Sequence, residues 1–164
     1  MGSHDDDALL EAVREVFWTT MQVPVEKTGQ REWSGDSGPI AVSVQFDGDP
    51  GGHLTLGMDA HGAQRIASIF SGRDVPAESA ACADALLELA TMICGRATAR
   101  IGLVSNVRPL GLHEERESRA GEVGSESMMT ARTLRHEHGF VTLELVTTGT
   151  SAAEREPAAG VKTR

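Results

Sequence analysis

The stretch Ala80–Arg100, AACADALLELATMICGRATAR, leaves this chain the least freedom in how it folds. At about 100° per residue, Asp84, Glu88, Thr91, Gly95 and Thr98 fall within an arc of roughly 80° on a helical wheel. Nearly everything else is apolar: Ala85, Leu86, Leu87, Leu89, Ala90, Met92, Ile93 and Cys94. An ordinary surface helix has a polar face about as wide as its apolar one; this helix must instead be covered on most sides. Each buried Leu contributes about 1.5–3 kcal/mol, whereas an unpaired carboxylate in the same surroundings costs several kcal/mol. The narrow strip therefore has to face solvent, in a shallow opening flanked by other elements. Acidic and accessible, with small Gly95 admitting a second surface, it suits a docking partner with a protruding basic group. A plainer reading stands beside this one. Acidic residues early in a helix complement its dipole, and a mid-helix threonine such as Thr91 can give its hydroxyl to the carbonyl of Leu87.

The rest of the chain supplies what covers that helix. Residues 7–23 read as an amphipathic helix stopped near Pro24, followed by the polar connector EKTGQREWSGDSG. In PIAVSVQF, Ile40, Val42, Val44 and Phe46 alternate onto one side; DGDPGG turns, and Leu54, Leu56 and Met58 alternate after it, which makes a hairpin. Asp59 caps a helix through AHGAQRIASIF that ends at Ser71 and Gly72. Pro76 suits the first turn of the long helix, and Gly102 its stop. NVRPLGL reads as a strand and HEERESRAGEVGSES as a charged loop. A second hairpin follows, SMMTARTLRHE and FVTLELV, turning near His138 and Gly139 with Val141, Leu143 and Leu145 facing inward. The expected division is a disordered start at 1–6, one domain at 7–148, and a disordered tail at 149–164.

With 164 residues the chain can bury a sizeable core in one domain. Its net charge of −9 argues against nucleic acid or an anionic membrane as partner. Aromatics make up only 4%, leaving little on which to stack bases. No apolar run approaches the roughly 20 residues of a membrane span, and the start lacks a signal-peptide pattern. Cys82 and Cys94 lie on one helix about 18 Å apart, well beyond the ~7 Å limit for a disulfide. Two free thiols point to the cytoplasm. His136, Glu137 and His138 place two imidazoles on one side of a strand, but no third ligand is identifiable, so no metal site is expected. This HEH reads as the polar end of a strand.

The stretch DALLE occurs twice, from Asp7 and from Asp84, and suggests two related halves. DALLELATMICG resembles the signature helix of the CheC/CheX/FliY chemotaxis phosphatases. That signature has an acidic or serine residue, Glu four positions later, Asn three further on, and commonly Gly four after that. Asp84, Glu88 and Gly95 match; Thr91 stands where the family has Asn. The resemblance extends from residue 7 to 146 and includes GPIAVSVQFDGDPGGHLTLGMDAHGAQRIASIFSG, similar to the hairpin and following helix of CheX-type members.

The resemblance implies an α/β (α+β) fold of the CheC/CheX type, pseudo-duplicated, with helices packed on a mostly antiparallel sheet, and a homodimer as its assembly. It implies that a phosphorylated CheY-type receiver domain is the partner and its aspartyl phosphate the substrate. The chain then needs no cofactor of its own, because Mg²⁺ would be bound by the receiver. Glu88 and Thr91 become the catalytic pair: Glu88 pairs with a receiver lysine, and the residue at 91 holds the attacking water in line. Asp84, Gly95 and Thr98 become partner-binding. Thr91 opens an alternative, since its side chain is shorter than Asn: a non-catalytic adaptor that binds the receiver. In the first copy Arg14 and Trp18 occupy the Asn and Gly positions, so that copy is expected to be structural, with Trp18 filling the space that Gly95 leaves in the other.

Overall fold

The computed structural model describes residues 2–28, 40–48, 50–103, 106–112 and 127–148. The long helix, Ala80–Arg100, begins at a cap rather than at Pro76. Ser79 Oγ accepts the Cys82 N–H at 3.1 Å, and Pro76 lies in the turn before it, its carbonyl accepting from Ser79. A capping hydroxyl satisfies a backbone donor that proline merely lacks, so the cap sets the start. The helix Ala60–Ser71 behaves as its sequence predicts. Asp59 Oδ1 accepts the Gly62 N–H at 2.7 Å, and Gly72 closes the other end in the left-handed conformation at φ 66°. The first helix runs over Gly2–Met21. The expected disordered start is corrected for residues 2–6, which continue this helix. The run Asp5, Asp6, Asp7 puts negative charge in its first turns, where the helix dipole favours it.

We number the helices α1 (Gly2–Met21), α2 (Ala60–Ser71) and α3 (Ala80–Arg100). The strands are β1 (Glu26–Lys27), β2 (Ile40–Asp47), β3 (Gly51–Met58), β4 (Asn106–Leu112), β5 (Ser127–His136) and β6 (Gly139–Thr148). The strands form one antiparallel six-stranded sheet in the order β1-β5-β6-β3-β2-β4. Both expected hairpins are present. NVRPLGL is the edge strand β4, a place that tolerates Pro109, and the β2 register shifts opposite it. Two-residue β1, at the other edge, falls in the stretch read as a connector. The charged loop, apart from its last residue, and the tail at 149–164 lie outside the described residues.

The strand order is its own mirror. Exchanging β1 with β4, β2 with β5 and β3 with β6 reproduces it in reverse. One half is α1 with three strands; the other is α3 with three. The two DALLE helices also bury corresponding positions: Leu9 with Leu86, Ala12 with Leu89, Val13 with Ala90, Val16 with Ile93, Phe17 with Cys94. These side chains meet Val42, Val44, Phe46, Leu54, Leu56, Met58, Val141, Leu143 and Leu145 in one core. Every second residue of β2, β3 and β6 therefore faces the helices, as alternation requires.

His136 departs from the reading of HEH as a polar strand end. It is buried, with its ring centroid 6.0 Å from that of Phe17 on α1. Its Nδ1 accepts the His138 N–H at 3.2 Å, so Nε2 carries the proton, and that atom has no partner among the described residues. Burial, with His138 beside it, holds the imidazole below its ordinary pKa. The unfolded chain therefore takes up this proton first, and stability should fall as pH drops below about 6.5. Thermal melts between pH 7 and 5 should show the loss, and His136→Gln should flatten the slope by up to about 1.4 kcal/mol per pH unit. An unchanged slope in the variant would assign the pH dependence to other groups.

Candidate functional site

α3 packs against α1, α2, β2, β3 and β4. Its remaining side is the strip that the wheel singles out. Asp84 and Glu88 are exposed, and Thr91 and Gly95 half-buried. Neither carboxylate takes part in an ion pair among the described residues. Thr91 Oγ1 donates to the Leu87 carbonyl at 2.8 Å, so its hydroxyl proton is committed and the oxygen faces outward only as an acceptor.

Thr98 does not belong to this surface. It is 1% exposed, and its hydroxyl donates to the Cys94 carbonyl at 2.9 Å. A threonine that satisfies its hydroxyl on its own helix can be buried at little cost, which a wheel of polar positions does not register. The strip therefore comprises Asp84, Glu88, Thr91 and Gly95. Among the described residues, a Cβ at Gly95 would meet no atom within 4 Å beyond its own helix backbone. None of the described residues requires glycine there, although glycine in a helix interior costs about 0.8–1.0 kcal/mol relative to alanine.

The first copy is disabled in a way the coordinates make concrete. Asp7 and Glu11 are exposed like their counterparts. Arg14, at the position of Thr91, bonds Glu11 Oε1 at 2.9 Å and reaches the Val25 carbonyl at 3.4 Å. The carboxylate that corresponds to Glu88 is thus neutralised from within. Trp18 corrects the expectation made for it. It is 58% exposed, so it does not fill the place in the first copy that corresponds to Gly95 in the second. Glu15 is the α1 residue that turns to α3, pairing with Arg96 at 3.1 Å and Arg100 at 2.7 Å. The duplication rests on strand order and burial rather than on this side chain.

Cys82 and Cys94 are buried free thiols, and burial pushes Cys94 up to about 12, so neither is a nucleophile. Among the described residues no three His, Cys, Asp or Glu side chains are placed to hold a metal ion. No helix there is long and apolar enough to cross a membrane.

The family model described as chemotaxis phosphatase CheX matches residues 40–116, which include β2, β3, α2 and all of the α3 strip. Over these residues the chain matches the CheX family. Solved structures share the fold at low identity. CheX from Desulfovibrio desulfuricans is 17% identical with a TM-score of 0.63, the match covering 88% of this chain and 99% of that one. A chain of the CheX–CheY–BeF₃–Mg²⁺ complex from Borrelia burgdorferi is 16% identical with a TM-score of 0.68, covering 86% and 96%. A CheC-like protein from Shewanella sp. PV-4 reaches a TM-score of 0.70 at 15% identity, covering 91% and 100%. No curated protein sequence matches. Of the two copies of the repeated helix face, the strip on α3 is the one whose glutamate stays outside every ion pair among the described residues.

Proposed function

We propose that this chain docks through the α3 strip on a phosphorylated CheY-type receiver domain and promotes hydrolysis of its aspartyl phosphate. The observation that carries this reading is the pairing of exposed, unneutralised Glu88 with the outward Thr91 oxygen one turn further on, beside the unobstructed helix surface at Gly95. The B. burgdorferi relative, crystallised with CheY, BeF₃ and Mg²⁺, supports the choice of partner. Mg²⁺ would come with the receiver.

The chemistry asked of α3 is small. Water attacks phosphorus, the bond from phosphorus to the aspartyl oxygen breaks, and the carboxylate leaves with the bonding pair. Glu88 supplies a charge that fixes the docked orientation. Thr91 Oγ1, having given its own proton to Leu87, can accept one from the water and leave that water's lone pair aimed outward. The same hydrogen bond favours a second reading, in which the chain binds the receiver without catalysis, because a short hydroxyl tied back to its helix reaches less far than an Asn amide.

Phosphate release from a phosphorylated receiver, with and without the protein, separates these readings. Thr91→Asn should speed release about tenfold, equivalent to about 1.4 kcal/mol of barrier, within what one added hydrogen bond to the water can supply. Thr91→Ala should abolish whatever acceleration the wild type has and leave binding nearly intact. Equal activity in wild type and Thr91→Ala would remove Thr91 from the mechanism. Binding without acceleration in both wild type and Thr91→Asn would leave the adaptor reading in its place.

A further inference from the structure

A groove of about 440 Å³ runs between the end of α2 and the first half of α3. Phe70, Ala81 and Ala85 give it apolar surface; Asp84 and Glu88 stand on its α3 side, and Arg73 on the other. Phe70 is half-buried and packs on the core. The groove shares Glu88 with the strip, so a partner seated on Glu88 also covers the groove. Arg73, Asp84 and Glu88 are all exposed, and none is in an ion pair among the described residues.

We propose that the groove is a specificity subsite for the receiver, taking a lysine or arginine side chain additional to the one that Glu88 engages. This rests on the receiver-docking reading above and names a second point of contact for it. A long basic side chain has the two parts that the groove has. Its methylenes lie against Phe70, Ala81 and Ala85, and its cation reaches Asp84, with Glu88 one turn further. A short apolar side chain would leave Asp84 unanswered, and an acidic one would meet it as a like charge. Arg73 opposes the occupant and holds its affinity down. That gives the two walls of the groove opposite signs: removing positive charge from one should strengthen binding, and removing negative charge from the other should weaken it.

The test is a titration of the full chain with Borrelia burgdorferi CheY loaded with Mg²⁺ and beryllium fluoride, at one fixed salt concentration. Asp84→Lys should weaken binding at least about tenfold. Arg73→Glu should tighten it by about two- to five-fold. Arg65→Glu makes the same charge change on an exposed residue of α2 outside the groove and should leave affinity unchanged. Arg73→Glu weakening the complex would mean an acidic occupant, and Arg65→Glu tightening it equally would mean long-range attraction; either overturns the subsite. Wild-type binding that none of the three alters overturns the subsite alone and leaves the strip as the contact. No binding by the wild type overturns the docking reading and the subsite with it.

Discussion

Glu88→Lys should weaken receiver binding by about a hundredfold or more, because like charges brought together at an interface cost several kcal/mol. The side chain is well placed for a clean experiment. It is exposed and outside every ion pair among the described residues, so the variant should melt within about 0.5 kcal/mol of the wild type. The internal comparison is Glu11→Lys. Glu11 holds the corresponding position in the first copy but is neutralised by Arg14 at 2.9 Å, so its reversal should leave receiver affinity unaltered. A titration in which both reversals behave alike would show that net charge, not the α3 strip, governs the interaction. A Glu88→Lys affinity equal to wild type would remove the strip from the interface.

Gly52→Ala should destabilise the fold by about 3 kcal/mol, at the upper end of what overpacking usually costs. A Cβ there would fall on the Val146 carbonyl oxygen and 2.6 Å from Phe46 Cζ. The first obstacle is backbone within the central β3–β6 pairing, and the second is a ring 1% exposed in the core, so neither can swing aside. For a chain of this length the expected fall in Tm is roughly 6–12 °C. Gly95→Ala should do the reverse. Its Cβ meets nothing among the described residues, and an alanine in a helix interior should raise stability by about 1 kcal/mol while placing a methyl group on the α3 strip. Thermal melts of the two variants check both signs. A Gly52→Ala protein as stable as wild type would mean that β3 and β6 do not approach as closely as the coordinates place them.

The elements that were legible in the sequence are those whose signal is local. The hairpins of β2 with β3 and β5 with β6 follow from alternation at Val42, Val44, Phe46 and at Val141, Leu143, Leu145, because a strand reverses face at every residue. Asp59 and Gly72 mark the ends of α2 through hydrogen bonds made within one turn. The solvent-facing strip of Asp84, Glu88, Thr91 and Gly95 was legible for the same reason: helical spacing alone brings these residues to one side, and the bond from Thr91 to Leu87 closes within that helix.

What local spacing could not supply was the surroundings of each side chain. Thr98 shares the arc of the strip, yet the fold covers it. Trp18 looks as if it should pack in the first copy where Gly95 leaves room in the second, yet the indole is exposed, and Glu15 is the neighbour that pairs with Arg96 and Arg100. Phe70 and Arg73 carried no signal of their own. They reach Asp84 only because α2 ends where α3 begins its exposed half, a distance set by how both helices rest on the sheet. The sequence by itself determined which helix would be nearly all core and which of its residues must seek water, since the cost of burying a carboxylate is paid wherever the helix lies. Arg14 closes the first copy of the repeat from three residues away on the same helix, which helical spacing already implies; tertiary structure alone decided what stands beside the open copy, because helix packing brings together residues that no periodicity along the chain connects.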